Sequence, residues 1–570
     1  MSDTTAESSQ ADARAGAPAL SHREIITILI GLMLGMFLAA LDQTIVASAM
    51  RVIADDLNDL AGQAWVTTAY LITSTIATPL YGKLGDIYGR KKLFIFAITI
   101  FTVGSMLCTL AWSIPSLAAF RAVQGIGAGG LFSLALAIIG DIVPPRERAK
   151  YQGYFLAVFG TSSVLGPVIG GFFAGQETLL GVTGWRWVFL VNVPIAIAAL
   201  AVVTRTLHLR HTRRDHRVDY WGALSLSVAL VPLLIVAEQG RIWGWDSGRS
   251  IFCYAVGLAG LVAFFAVERA MGEEALIPLR LFTNRTIAAA SVSSVFIGMG
   301  MFGGLAAIPL YLQIVKGSTP TEAGLQLLPM TLGIMAGSVF SGQMISRTGR
   351  YRHFPIIGSA ILVLAIFGFH YVTADTPLWK TMICMFFFGI GLGFNFQPLT
   401  LAVQNAVDRR DIGVATSSAT FTRQIGGTLG TAVFLSILFS QAGTKIGEAF
   451  RSIAPTPAFQ AAVRNPTGGD PATNKGFIQS LQASQQAGGT GGAGSSALSD
   501  SSFINQLDPR LARPFLVGFS DAMSVVFLVA AGVLVLAFIA SLFLPHVDLG
   551  PKPGAATAPE DEAVAVPAGH

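Results

Sequence analysis

Three charged residues stand in runs apolar enough to leave no bulk water beside them: Asp42, Arg121 and Arg423. An ionisable group so placed pairs with another, meets helix-end carbonyls or faces a wet cavity, and such settings are where protons and ions are moved. Asp42 lies about 17 residues into the first run, roughly 26 Å along a helix at 1.5 Å per residue. Arg121 lies about six residues into the fourth run, which travels the other way, so the two reach a similar depth. Burial disfavours a charged carboxylate and a nearby guanidinium favours it, so an arginine that moves would toggle a proton on Asp42. A fixed ion pair joining two helices is the alternative for the same residues. Arg423, about 11 residues into a later run and followed by Gly426–Gly427, has no partner that the sequence names. A structural anchor and a functional charge are equally open for it.

A second constellation is Gly82–Lys92, Gly-Lys-Leu-Gly-Asp-Ile-Tyr-Gly-Arg-Lys-Lys, a charged hairpin between two apolar runs. Gly82, Gly85 and Gly89 are expected to supply positive φ in so tight a reversal. Asp86 and Arg90 share an end with Asp141, which closes the fourth run. Topology alone asks for cations there, not for two acids. Partly exposed ion pairs are weak enough to break and re-form. A third group is Gly160, Gly166, Pro167, Gly170 and Gly171 in the fifth run. Gly166 and Gly170 have the spacing that lets helices approach closely, and Pro167 removes a helix hydrogen bond and allows a bend. Tight packing and a functional bend are both compatible with it.

Other chemistry is not signalled. No Gly-x4-Gly-Lys-Ser/Thr loop, His-Glu-x-x-His or Gly-x-Ser-x-Gly occurs, so neither an ATP-driven pump nor an enzyme is expected, and no cofactor. Gly125-x-Gly127-x-x-Gly130 formally matches a dinucleotide fingerprint but lies inside an apolar run with no strand before it. Cys108, Cys253 and Cys384 fall in separate runs with no metal or disulfide spacing.

The elements that must position these residues are membrane helices. At 570 residues, 52% hydrophobic and 12% charged, the chain has about half the charge of a water-soluble domain. Fourteen spans are predicted, near 25–50, 64–81, 93–112, 115–140, 151–174, 185–204, 219–238, 250–269, 287–312, 322–345, 354–373, 378–402, 413–439 and 517–544. The net charge of +5 collects in alternate loops, from Lys83/Arg90/Lys91/Lys92 through Arg205–Arg217 to Arg409/Arg410. That asymmetry puts both termini in the cytoplasm and removes any reason to expect nucleic acid as a partner. The bilayer is the expected surrounding of an all-α polytopic protein.

Repeats divide the chain. Phe387–Gly393 echoes Gly125–Gly129, and Gly342–Arg352 echoes the charged hairpin with Ser346 near the Asp86 position. The expected organisation is a disordered N-terminus (1–24), a six-helix bundle (25–204), two inserted helices with a linker (205–270) and a second six-helix bundle (271–544). Residues 440–516 are read as an extracellular, mostly flexible Gly/Ser-rich loop with room for a short helix, and 545–570 as a disordered tail. Parallel halves of this kind suit a rocking transporter.

The hairpin resembles the signature between the second and third helices of the major facilitator superfamily, with Gly82, Asp86, Gly89, Arg90 and Lys91 matching and Ile87 where a basic residue is common. Leu41–Val46, Arg121-Ala-Val-Gln124-Gly125, the Gly160–Gly171 motif and Trp185-Arg186-Trp187 with Asn192 resemble further signatures of its fourteen-helix drug:proton antiporter branch. The resemblance implies a proton-coupled multidrug efflux antiporter of the cytoplasmic membrane, working as a monomer. It makes Asp42 and Arg121 the proton-coupling pair, with Asp86, Arg90 and Asp141 an inner gate. It also implies a cavity lined by spans 1, 4, 9 and 12. Met36, Phe37, Gln124, Met299, Met301, Phe302, Phe394, Asn395, Phe396 and Gln397 are then candidate contacts for a small amphipathic substrate, though the same residues suit a core. A dedicated exporter of a lipid, siderophore or endogenous metabolite would share this machinery. A non-transporting sensor on the same fold would not need to keep it.

Overall fold

The structure is a computed structural model and describes residues 22–57, 63–143, 145–207, 219–408, 411–486 and 502–545. The expected tails, Arg210–Arg217, Arg409–Arg410 and Gly488–Ser496 lie outside them.

Fourteen long helices carry the fold: α1 (His22–Asp56), α2 (Gln63–Tyr88), α3 (Arg90–Thr109), α4 (Ile114–Ile142), α5 (Pro145–Ala174), α6 (Asn192–Thr206), α7 (Tyr220–Trp243), α8 (Gly248–Met271), α9 (Arg285–Leu310), α10 (Leu328–Thr348), α11 (His353–His370), α12 (Leu378–Asn405), α13 (Ile412–Ile453) and α14 (Pro509–Leu542). Thirteen of these, all but α2, are long and apolar enough to cross a membrane among the described residues. In α2, hydroxyl residues dilute the apolar face. Ser74 and Thr75 line a cavity, and the Thr78 hydroxyl donates to Gln424 of α13 (2.9 Å).

Helix ends follow local chemistry. The N-terminus of α4 is closed by a capping box in which the Ser113 and Ser116 hydroxyls accept from each other's backbone N–H, with Pro115 in the first turn. The glycines that formally match a dinucleotide fingerprint are packing devices. Gly125 receives the backbone of α2, Gly127 that of α3, and Gly130 the Ala97 and Tyr81 side chains, so that any side chain there would clash.

Apolar clusters show where the helices meet. One joins α9 to α14, and two others occupy the bundle of α1 to α6. The halves touch along two seams. Along one, α2 and α13 meet with α7 packed over them, through Ile72, Leu226, Leu230 and Phe421. Along the other, α5 lies against α10, with Gly160 receiving the Thr331 side chain.

The charged hairpin differs from its expected form. Helix α2 runs through Gly82 and Gly85 to Tyr88, and Gly89 alone makes the reversal, at φ 97°. Only Gly89 therefore needs glycine's backbone freedom. Gly82 is required for close approach instead, because Ser417 of the other half occupies the space a side chain would fill. Gly349, between α10 and α11, turns the matching hairpin of the later half at φ 72°.

The segment 440–516 also departs from the expected flexible linker. Helix α13 continues to Ile453, and short helices follow at Pro457–Arg464 and Pro471–Gln486. Phe450, Phe477 and Phe503 pack their rings on Phe515 of α14, within 5.0 to 5.6 Å. Asp508 ties the chain down by accepting from the backbone N–H groups of Thr467 (2.8 Å) and Gly468 (3.1 Å) and from Arg510.

Candidate functional site

Asp42 and Arg121 meet. The carboxylate on α1 pairs with the guanidinium on α4, and both side chains are buried, at 0% and 1% exposure. The other carboxylate oxygen, Oδ1, accepts from Gln124 Nε2 (2.9 Å) and from Asn192 Nδ2 (2.8 Å). Gln124 Oε1 in turn accepts from Arg121 (2.7 Å), and Asn192 also donates to Ser105 Oγ (2.9 Å). The Arg121 guanidinium lies 4.1 Å from the centre of the Tyr70 ring. The charge is thus held by α1, α2, α3, α4 and α6 together. Two atoms of the network, Arg121 Nε and Asn192 Oδ1, have no hydrogen-bond partner.

Asn192 stands in the resembling sixth-span motif, but its role as a direct partner of Asp42 was not read from the sequence. An amide in an otherwise apolar run was the available signal. Gln124, expected in the substrate cavity, belongs to this network and does not line the cavity.

At the hairpin end, Arg90 bonds Asp86 (3.0 Å) and Asp141 (2.6 Å), and donates to the Ala137 carbonyl. Asp86 reaches across to the other half, where its second oxygen accepts from Val414 N (3.2 Å) in the first turn of α13. A carboxylate at a helix N-terminus also meets the positive end of the helix dipole. Gln404 of α12 donates to the Leu136 carbonyl of α4 (3.1 Å), and Ile412 packs on Gly140. The two halves are therefore latched at this end.

In α5, Gly166 and Gly170 face Thr44 and Ser48 of α1, with Thr44 Oγ1 donating to the Ser162 carbonyl (2.9 Å). Pro167 packs on Gly324, in the turn before α10, while Gly171 accepts a bond from Gly175 N in the last turn.

Between the halves lies a cavity of about 150 Å3. Met36, Met301, Phe302, Phe396 and Gln397 line it, as expected, and Arg423 projects into the same wall. Four other candidates do not line it. Phe37 packs in the cluster around Leu41, and Met299 gives its backbone to Gly430 of α13. Phe394 stacks between Phe340 and Phe354, and Asn395 bonds Ser359 and the Gly391 carbonyl. The reason is rotational: 100° per residue turns Phe394 and Asn395 towards α10 and α11 when Phe396 and Gln397 face inward. Helices α2, α5 and α13 also contribute, through residues such as Thr75, Phe159 and Gln424. The volume is below the roughly 300–1,000 Å3 of drug-sized pockets, so admitting cargo requires the halves to part.

A profile of the Major Facilitator Superfamily matches residues 32–431. An uncharacterised transporter of that type from Mycobacterium tuberculosis is 33% identical over 94% of the chain and 72% of its own length. Multidrug resistance protein 3 of Bacillus subtilis is 37% identical over 74% of the chain and 81% of its own length. The multidrug transporter protein MdtP of the same species is 36% identical over 73% and 76%. Among solved structures, a bacterial homologue of the human lysosomal transporter Spinster superposes with a TM-score of 0.54 at 17% identity, over 92% of this chain and 98% of that one. A double-tryptophan mutant of XylE gives 0.58 at 14% identity, over 92% and 96%.

Proposed function

The chain belongs to the major facilitator superfamily, a multi-pass membrane transporter, and from that premise we propose that it is a proton-coupled exporter of amphipathic compounds across the cytoplasmic membrane. The observation that carries the coupling is the buried Asp42–Arg121 pair with Gln124 and Asn192 on its free oxygen. The relatives named for multidrug resistance support the direction and class of cargo.

Protonation of Asp42 removes the charge that holds Arg121. The freed guanidinium keeps Gln124 Oε1 and the Tyr70 ring as neighbours, so it has somewhere to go without leaving the protein. Gln43, one residue on from Asp42, lines the cavity next to the Tyr70 hydroxyl, which donates to the Ala39 carbonyl (3.5 Å). Cargo against Gln43 therefore acts on Tyr70 and, through its ring, on the ion pair. In this scheme the hairpin end is cytoplasmic, and the Asp86–Arg90–Asp141 latch holds it shut while the other mouth takes a proton and discharges cargo. Each proton crossing 100 mV supplies about 2.3 kcal/mol.

The test is dye export from proteoliposomes holding the purified chain. A pH gradient should drive export, a protonophore should abolish it, and Asp42→Asn should insert normally yet lose at least about ten-fold in gradient-driven rate, the worth of one charge-assisted bond. Equal rates in wild type and Asp42→Asn would remove Asp42 from the mechanism.

A further inference from the structure

The cavity wall contains an uncompensated cation. Arg423 carries the one formal charge among the described lining residues, and no carboxylate or hydrogen-bond acceptor pairs with it. Its guanidinium carbon instead lies 4.8 Å from the centre of the Phe396 ring. A ring face attracts a cation but offers no acceptor for its N–H groups, so the donors remain available.

An independent observation lies one residue away on α12. Gln397 is 2% exposed and lines the same cavity, and neither its Nε2 nor its Oε1 has a partner. Buried amides are ordinarily satisfied, so an amide left open on both atoms marks the place of a missing polar group. Nearby polar groups do not fill the gap. Gln424 Oε1 is occupied by Thr78, and the hydroxyls of Thr420 and Thr428 donate to their own helix. Hydroxyl side chains such as Ser74, Thr75, Thr400 and Thr431 also line the cavity, and the apolar part of its wall is built by Met36, Phe132, Phe159, Met301 and Phe302.

We propose that Arg423, Gln397 and Phe396 form a recognition site for the carboxylate of an amphipathic organic acid, whose apolar body lies against the Met and Phe wall. A guanidinium presents parallel N–H groups that match the two oxygens of a carboxylate, and the Gln397 amide adds a donor from the neighbouring helix. Asp42 does not oppose this, since it is fully buried and neutralised by Arg121 outside the cavity lining. A cationic cargo would face Arg423 with no acid in the wall to offset it. The inference rests on the reading of the chain as an exporter and assigns that exporter a class of cargo.

Three fluorescent probes sharing one apolar body test it: a carboxylic acid, its primary amide and the corresponding amine. Binding is measured to the purified full chain in detergent micelles with no gradient, which separates recognition from proton coupling. The wild type should bind the acid at least ten-fold tighter than the amide and more tightly still than the amine. Arg423→Gln should abolish the acid's advantage over the amide, and Arg423→Lys should keep part of it. Gln397→Leu should weaken the acid several-fold. A wild type that binds the amide or amine as well as the acid overturns the proposal, whether or not the variants fold, and so does an unchanged acid preference in Arg423→Gln. Selective acid binding without gradient-driven transport would instead defeat the exporter reading and leave the site standing.

Discussion

At the scale of single residues, Asp42 is supported by three donors from two other helices, and their removal has different costs. Arg121 supplies the charge, while Asn192 supplies one hydrogen bond to the oxygen that Arg121 leaves free. Asn192→Ala is therefore expected to weaken coupled transport by about ten-fold, following the roughly 1.5–3 kcal/mol of a bond to a charged group, with the bundle still folded. Tyr70→Phe keeps the ring beneath Arg121 but removes the hydroxyl that Gln43 meets. It should preserve dye binding and slow gradient-driven export, and a transport rate measured beside equilibrium binding separates the two. Asp42 and Arg121 were legible in the sequence because a charge in an apolar run is rare and has to be compensated. Asn192 was less so, since an amide in such a run announces a polar partner without saying which helix supplies it.

At the scale of elements, patterning gave the helices and missed what their ends do. The hydropathy that locates α13 fades near residue 439, yet the helix runs on to Ile453 because Phe450 finds Phe515 and Phe459. Four phenylalanines dispersed in a Gly- and Ser-rich background carry no period, so only their meeting in space reveals a packed cap. Asp508 is the polar counterpart. Arg510 first, then the backbone N–H groups of Arg510, Thr467 and Gly468, hold its carboxyl below the usual aspartate range. A carboxyl lowered by folding stabilises the fold above its unfolded value of about 3.9 and loses that contribution as pH falls below it. Resistance of residues 464–471 to limited proteolysis should therefore be level from pH 8 to 5 and fall only below about pH 4. Asp508→Ala, which removes the acceptor of the Thr467 and Gly468 N–H groups and of Arg510, should loosen the cap and expose the same residues at neutral pH.

At the scale of the whole molecule, the question is what holds one mouth closed. The latch is a short chain from Asp141 through Arg90 and Asp86 to the first turn of α13, with Gly82 admitting Ser417 beneath it. The bonds that cross between the halves here, Val414 N to Asp86 and Gln404 to the Leu136 carbonyl, contribute about 1 kcal/mol each, while the two ion pairs within one half hold Asp86 in place. A sum of about 2 kcal/mol corresponds to roughly a thirty-fold bias between two conformations, large enough to set a resting state and small enough for cargo and protons to reverse. Arg90→Ala removes both ion pairs while Asp86 keeps Val414 N. The expected result is a measurable open population at the hairpin end, seen as a longer inter-label distance between α4 and α12 in pulsed electron–electron resonance. Gly82→Val reaches the same state by another route, because a branched side chain there collides with Ser417 and keeps the helices apart without altering any charge. If both variants open that end while Asp42→Asn does not, closure depends on the latch and the buried Asp42–Arg121 pair acts upstream of it. If Asp42→Asn alone opens it, the buried pair itself closes the mouth, and the hairpin charges serve only to orient the chain in the bilayer.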